Sequence, residues 1–266
     1  MNSIIAAGRA DLQGRHALVT GAGRGIGASI ARRLAQAGAR VSLVGRTAAT
    51  LEAIRGDIQA AGGEAGCHVA DITRREAVDA AVGAARAAFG AIDILVNNAG
   101  QAASSPITKR DDAVWNDMLA VNLSGTYYFI QAVLPEMIRQ DRGRIVNVAS
   151  TAGLTGYAYV AAYCAAKHGV VGLTRAVARE VAARNITVNA VCPGYTDTDI
   201  VQSAAKKIAA VTGRSQGEAV AAMTKTNPQG RLVRPEEVAN AVAWLCLPGS
   251  ESVTGQSIVV AGGELM

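Results

Sequence analysis

A short apolar run, Ala17-Leu18-Val19-Thr20, passes directly into the glycine-rich stretch Gly21-Ala22-Gly23-Arg24-Gly25-Ile26-Gly27. An amphipathic segment with Ile26, Ile30 and Leu34 on one face follows. This succession of strand, glycine turn and helix limits the chain more than any other feature. The strand shows no alternation of apolar and polar residues, so it must be covered on both faces, as in a parallel sheet. The glycines at 21, 25 and 27 space as GxxxGxG and fit the commoner GxGxxG pattern only awkwardly. Glycines here permit positive φ and let backbone N–H groups reach a phosphate at the helix N-terminus, and the place between strand and helix strengthens that reading.

The same unit then recurs. Further strands are predicted at Arg40–Val44, Cys67–Ala70, Ile92–Val96, Arg144–Val148, Ile186–Val191 and Ser257–Val260, with helices at Leu51–Ala61 and from about Arg74 to Phe89 between them. Alternating βαβ units make an open, doubly wound α/β (Rossmann) sheet of about seven parallel strands with helices on both faces. No linker, low-complexity tract or repeat divides the chain, so residues 1–266 are expected to form one domain. Residues 1–11 form an N-terminal extension, and 195–235 break the rhythm. Forty residues without a strand signal inside a compact fold make a lid or binding element.

Composition excludes several classes. Half the residues are hydrophobic, which rules out disorder, and with only two Phe, six Tyr and two Trp the core is Ala, Val, Ile and Leu. The net charge is +5, yet the basic pairs Arg32-Arg33, Arg74-Arg75 and Lys206-Lys207 are scattered and lack interleaved aromatics. A nucleic-acid partner is therefore not expected. Met118–Pro135 and Ile145–Ala166 are charge-free and long enough to span a bilayer. Asn122, Ser124, Gly125 and Gln131 interrupt the first, and Asn147, Ser150, Thr151 and three Tyr the second, so both read as buried segments rather than membrane spans. The start, with Ile4-Ile5-Ala6-Ala7 as its only apolar run, makes no signal peptide. Cys67, Cys164, Cys192 and Cys246 form no CxxC pair, and the three His make no ligand cluster, so no metal site is expected. Four scattered thiols without an export signal suggest the reducing cytoplasm.

The glycine spacing, Asn97-Asn98-Ala99-Gly100 after the fourth strand, Ser150, Tyr163-Cys164-Ala165-Ala166-Lys167 (YxxxK) and Pro193-Gly194 resemble, in order and spacing, the short-chain dehydrogenase/reductase family. The likeness runs from about Leu12 to the C-terminus. It implies a nicotinamide dinucleotide held by Gly21, Arg24, Gly25, Ile26 and Gly27, with Asp71 and Ile72 at the adenine. The backbone of Asn98, Ala99 and Gly100 lines the ribose and nicotinamide, and Pro193, Gly194, Thr196 and Thr198 join the cofactor contacts. Thr196 stands where the family usually carries an aliphatic residue, and Cys164 where it often has Ser.

The choice of dinucleotide has a physical signal. An NAD site places Asp or Glu at the end of the second strand, against the ribose 2′-OH. Here the strand ends Val44-Gly45-Arg46. The acid is missing, and Arg46 together with Arg24 offers two guanidinium forks suited to a 2′-phosphate. NADP(H) is therefore expected, with NAD(H) as the alternative.

Tyr163 and Lys167 are four apart and share one helix face. A free phenol titrates near pH 10, and a neighbouring ammonium favours the phenolate. The resemblance makes Tyr163 the acid/base that protonates a carbonyl oxygen as hydride arrives. Lys167 also holds the ribose, Ser150 orients the oxygen, and Asn122 links Lys167 to solvent through its backbone carbonyl and a water. It further implies a homotetramer built on long helices. Tyr157 and Tyr159 could line the substrate pocket or pack at its rim; His168 is structural.

Six basic residues (Lys206, Lys207, Arg214, Lys225, Arg231, Arg234) against three acidic ones concentrate the positive charge in the 195–235 segment. They could meet a phosphorylated carrier, coenzyme A or acyl carrier protein. Thr212–Ala219 resembles a lid segment of polyketide ketoreductases and hydroxyacyl-CoA dehydrogenases, which points to a 3-oxoacyl/3-hydroxyacyl pair. The alternatives are the same chemistry with NAD on a free ketone, cyclic alcohol or sugar-like substrate, and a non-catalytic NADP-sensing protein.

Overall fold

The computed structural model describes residues 11–265, so the N-terminal extension expected at 1–11 lies, apart from Asp11, outside the described residues. Seven strands build one sheet: β1 (His16–Thr20), β2 (Arg40–Gly45), β3 (Ala65–Val69), β4 (Ile94–Asn97), β5 (Gly143–Val148), β6 (Ile186–Pro193) and β7 (Ser257–Val260). All pairings are parallel, in the order β3-β2-β1-β4-β5-β6-β7. Every residue of β1 is buried, and Val19 is flanked in register by Leu43 and Val96. That is what its unbroken apolar run demands.

Helices cover both faces. On one side α1 (Gly25–Gln36), α2 (Ala48–Ala60) and α9 (Pro235–Cys246) bury Ile30, Leu34, Leu51 and Val242 against the strands. On the other, α3 (Arg75–Phe89), α5 (Gly125–Gln140) and α6 (Ala161–Glu180) bury Val82, Phe129, Val133 and Val177. Between them come α4 (Asp112–Leu119), packed on α6, and a π-helical turn, Ala120–Ser124. In that turn the Gly125 N–H reaches back five residues to the Ala120 carbonyl. The wider turn carries Asn122 into the interior, where it is 1% exposed.

The two charge-free stretches are each divided among several elements. Met118–Pro135 becomes the end of α4, the π turn and most of α5; Ile145–Ala166 becomes most of β5, a loop and the start of α6. Among the described residues no helix is long and apolar enough to cross a membrane.

The 195–235 segment contributes only an isolated bridge, Thr196 with Val233, and two helices, α7 (Asp199–Thr212) and α8 (Gln216–Thr224). These share a small core of Ala205, Ala219 and Met223, separate from the two main ones. A capping box of Ser215 and Glu218 starts α8. At the far end the Arg231 guanidinium grips the Glu237 carboxylate at 2.8 and 2.7 Å and holds its pKa down to about 2.

Candidate active site

Strand order reverses between β1 and β4: the chain moves outward from β1 through β2 to β3, then returns to β1's other side. In open α/β sheets the crevice at such a point, beyond the carboxyl ends of the strands, is where ligands bind. A cavity of about 380 Å³ opens there. Its walls include Gly21, Arg24, Gly25, Ile26 and Gly27 after β1, and Arg46 after β2. Asp71, Ile72, Asn98, Ala99, Gly100, Asn122, Ser150, Tyr163, Lys167, Pro193, Gly194, Thr196 and Thr198 complete it. The residues expected to act in catalysis or hold the cofactor thus border one cleft, whereas Tyr157 and Tyr159 are not among its lining residues.

The glycine loop is shaped by close approach. Gly21 and Gly25 take φ of +64° and +53°. A Cβ on Gly27 would lie 2.2 Å from the Gly21 carbonyl oxygen and 2.4 Å from Asn98 Nδ2. Asn98 donates from Nδ2 to the carbonyls of Thr20 (2.9 Å) and Gly21 (3.3 Å), while Thr20 Oγ1 accepts from the N–H groups of Asn98 and Ala99, both at 3.0 Å. The loop and the end of β4 are therefore one bonded unit. Thr20 was not among the sequence candidates, and nothing but its place at the end of β1 marks it. Gly27→Ala is expected to destabilise the fold by about 3 kcal/mol, the cost of forcing a methyl into a packed interior. Urea unfolding of the variant checks this.

No side chain caps the N-terminus of α1, and its first turn holds no acidic residue. Its N–H groups are left to serve an anion. Arg46 is exposed and near enough to Asp71 to help hold that carboxyl below its ordinary range, though the N–H and hydroxyl of Thr73 do more. Arg24 pairs with Asp199 at the start of α7, 3.5 Å across the cleft mouth, both side chains largely exposed. These features suit a dinucleotide: bare backbone donors at the start of α1, with Arg24 beside them and Arg46, in place of an acidic residue, directly after β2.

At the cleft's inner end, Ser150 follows β5 and caps a 3₁₀ turn, Thr151–Gly153. Its Oγ accepts from the Ala152 N–H at 3.1 Å, which leaves the hydroxyl proton free to donate. Tyr163 and Lys167 stand a turn apart on α6, with Nζ 5.7 Å from the centre of the Tyr163 ring. Lys167 is 4% exposed and donates to the Val148 carbonyl at 2.9 Å. Burial pulls its pKa down to about 8. Tyr163 is half-buried, and its phenol is pushed up, burial outweighing the downward pull of the Ser150 hydroxyl. The ammonium was expected to bring the phenol down. The opposite direction arises because both groups lose water, and Nζ is turned toward Val148.

Asn122 has its side chain fully engaged: Nδ2 donates to the Gln101 and Met118 carbonyls, both at 3.0 Å, and Oδ1 accepts from the Gln101 N–H at 3.2 Å. Only its backbone carbonyl remains for a relay, and that lies within 3.4 Å of Thr126 Oγ1. Thr196 is buried with its hydroxyl on the Gly194 carbonyl (3.0 Å), and Thr198 bonds the Thr196 carbonyl (3.2 Å). His168 bonds the Cys164 carbonyl of its own helix at 2.9 Å. Tyr159 is exposed, with φ of +67°. Beneath the site runs a buried chain the sequence did not reveal: Asn97 Nδ2 to Asn147 Oδ1 at 2.9 Å, and Asn147 Nδ2 to Thr174 Oγ1 at 2.9 Å. It braces β4, β5 and α6 at the level of the catalytic candidates.

A sequence profile of the short chain dehydrogenases matches residues 15–209. A Streptomyces coelicolor chain that carries the name ketoacyl reductase is 41% identical over 249 residues, covering 93% of this chain and 95% of its own. The 3-oxoacyl-(acyl-carrier-protein) reductase of Vibrio cholerae is 38% identical over 256 residues, covering 96% and 99%. Among solved structures, an actinorhodin polyketide ketoreductase variant crystallised with NADPH superposes with a TM-score of 0.91 at 39% identity, covering 96% and 98% of the two chains.

Proposed function

The chain belongs to the short-chain dehydrogenase family, and on that premise we propose that it is an NADPH-dependent reductase of 3-oxoacyl thioesters. The observation that carries this reading is the meeting of Ser150, Tyr163 and Lys167 at the inner end of a cleft whose other end is a bare helix N-terminus flanked by Arg24 and Arg46. NADPH suits the guanidinium pair, and the carrier-linked substrate follows the relatives' names together with the basic 195–235 segment, which we read as a lid.

A reduced nicotinamide bound in this cleft supplies the hydride. Tyr163 gives its phenolic proton to the ketone oxygen as the alkoxide develops, and the Ser150 hydroxyl donates to the same oxygen and fixes its position. Lys167 places positive charge beside the phenol as it becomes phenolate, and the Asn122 carbonyl leads from Lys167 toward solvent, so the spent proton can be replaced. A phenol held above its ordinary pKa keeps its proton at neutral pH, which is the state reduction requires. The same reading extends to a homotetramer, supported by the exposed apolar side chains Tyr127 and Ile138 on α5, and Trp244 and Val259 on α9 and β7.

The test is reduction of an acetoacetyl thioester, followed at the nicotinamide absorbance band with NADPH and NADH in parallel. Turnover is expected with kcat/KM favouring NADPH at least tenfold. Tight NADPH binding without turnover of any carbonyl would make the protein a sensor instead. Arg46→Asp restores the acid an NAD site uses at the end of β2, and it is expected to move the NADPH-to-NADH ratio of kcat/KM at least tenfold toward NADH. An unchanged ratio rejects Arg46 as the 2′-phosphate partner.

A further inference from the structure

Glu264 is brought against Gly194, a residue of the cleft wall, by way of two left-handed glycines, Gly262 (φ +60°) and Gly263 (φ +91°). A Cβ on Gly262 would lie 2.2 Å from Asn227 Oδ1, and one on Gly263 would lie 3.1 Å from Pro228 Cγ. The chain after β7 is thus wedged against the end of the 195–235 segment and turned back toward the cleft. Glu264 Oε1 lies 2.6 Å from the Tyr157 hydroxyl and 3.2 Å from Thr226 Oγ1. The Tyr157 oxygen is also 2.9 Å from Thr151 Oγ1, beside Ser150. A phenol has a single proton, and the carboxylate is the stronger acceptor, so Tyr157 donates to Glu264 and accepts from Thr151.

Two facts about this carboxylate stand out. Half-buried, it forms no ion pair with any Lys, Arg or His among the described residues. Its second oxygen, Oε2, has no hydrogen-bond partner there either and sits over Gly194, where a Cβ would be 2.7 Å away. Gly194 lines the same cavity as Ser150 and Tyr163. A negative charge and acceptor oxygens therefore lie against Gly194, in the wall shared with Ser150 and Tyr163, and the Tyr157 phenol has its proton committed to Glu264.

We propose that Glu264 determines specificity by charge: it excludes free 3-oxo acids and admits their neutral thioesters. The inference rests on the ketoreductase reading and deepens it. In a 3-oxo acid the carboxylate carbon is next but one to the ketone carbon, so seating the ketone at Ser150 and Tyr163 brings a second negative charge against this wall. Like charges in a partly dehydrated site repel, whereas the thioester at the same carbon is uncharged.

The experiment compares acetoacetate with its N-acetylcysteamine thioester as substrates of the full-length protein with NADPH. It uses the parent, Glu264→Gln, which keeps an acceptor for Tyr157, and Glu264→Leu. Both variants are expected to raise kcat/KM for acetoacetate at least tenfold, mainly through KM, with the thioester value within threefold of the parent. Added salt should help the parent with acetoacetate and leave the variants unmoved. An equal fall with both substrates makes Glu264 a structural clamp and overturns the proposal, as does an unchanged ratio. If Glu264→Leu fails to fold, Glu264→Gln alone decides. Failure of the parent to reduce the thioester would instead strike the ketoreductase reading, and it is seen before any variant is made.

Discussion

Tyr163→Phe is expected to lower kcat by roughly a thousandfold, about 4 kcal/mol of transition-state stabilisation, while leaving NADPH binding and thermal stability close to the parent's. The phenylalanine keeps the ring that packs beside Lys167 and removes only the hydroxyl. With the proton donor gone, the developing alkoxide has the Ser150 hydroxyl alone to meet it. The phenol's raised pKa adds a pH signature. Reduction uses the protonated form, so its rate should hold level through neutral pH and fall only in alkali. Oxidation of the alcohol uses the phenolate and should rise about tenfold per pH unit over the same range. Rapid-mixing kinetics in both directions, with cofactor binding measured separately by fluorescence, check the prediction. Residual kcat within tenfold of the parent would remove Tyr163 from the acid/base role.

Lys167→Met is expected to cost roughly a hundredfold in kcat and to change stability in a pH-dependent way. The parent's ammonium is buried, and its pKa lies at about 8 against an ordinary value of 10.5. Below pH 8 both folded and unfolded chains hold the proton, and the cost of burying charge is fully present. As pH rises from 8 toward 10.5 the folded chain releases the proton while the unfolded chain keeps it, so the parent gains stability with pH. The methionine variant has no charge to bury. The stability of the variant relative to the parent should therefore decline by about 3 kcal/mol between pH 7 and pH 10.5. Part of the variant's advantage at pH 7 is offset by the Val148 carbonyl, which loses its donor, at about 1 kcal/mol. Urea unfolding of both proteins at matched pH values gives the curve; a flat difference would mean that Lys167 is not held in the low-dielectric setting its contacts indicate.

The strands were legible because a parallel sheet buries both faces, so β1 holds the unbroken apolar run Ala17-Leu18-Val19, and β2 and β6 are predominantly apolar, broken only by Ser42 and by Thr187 and Asn189. β7 matches its expected span, Ser257–Val260, residue for residue. β3 starts two residues earlier than expected, at Ala65-Gly66, and ends at Val69. Those small residues carry no strand signal of their own; pairing with Val41 and Ser42 of β2 places them. Most of the cleft residues were readable because they follow the end of a strand or stand near the start of a helix, where local sequence determines position. The two helices of the 195–235 segment were not, since their packing depends on a core as small as Ala205, Ala219 and Met223. Glu264 was beyond reach for a different reason. Its neighbours Tyr157 and Thr226 are 107 and 38 residues away, and only the Gly262-Gly263 pair hinted at a turn. The Asn97–Asn147–Thr174 chain likewise joins residues that no local pattern relates.

The hydrogen bonds from Asn98 to Thr20 join residues 78 apart in the chain. They form only when β4 lies beside β1, on the side away from β2 and β3. Closing so long a loop carries an entropic cost that must be met before any contact across it contributes. With β4 out of place, β1 to β3 would leave the glycine loop without its Asn98 tether and the cleft with one wall. Nucleotide capture is then a clock for the return of β4: during refolding, the moment the cofactor is first retained marks the joining of the two halves of the sheet.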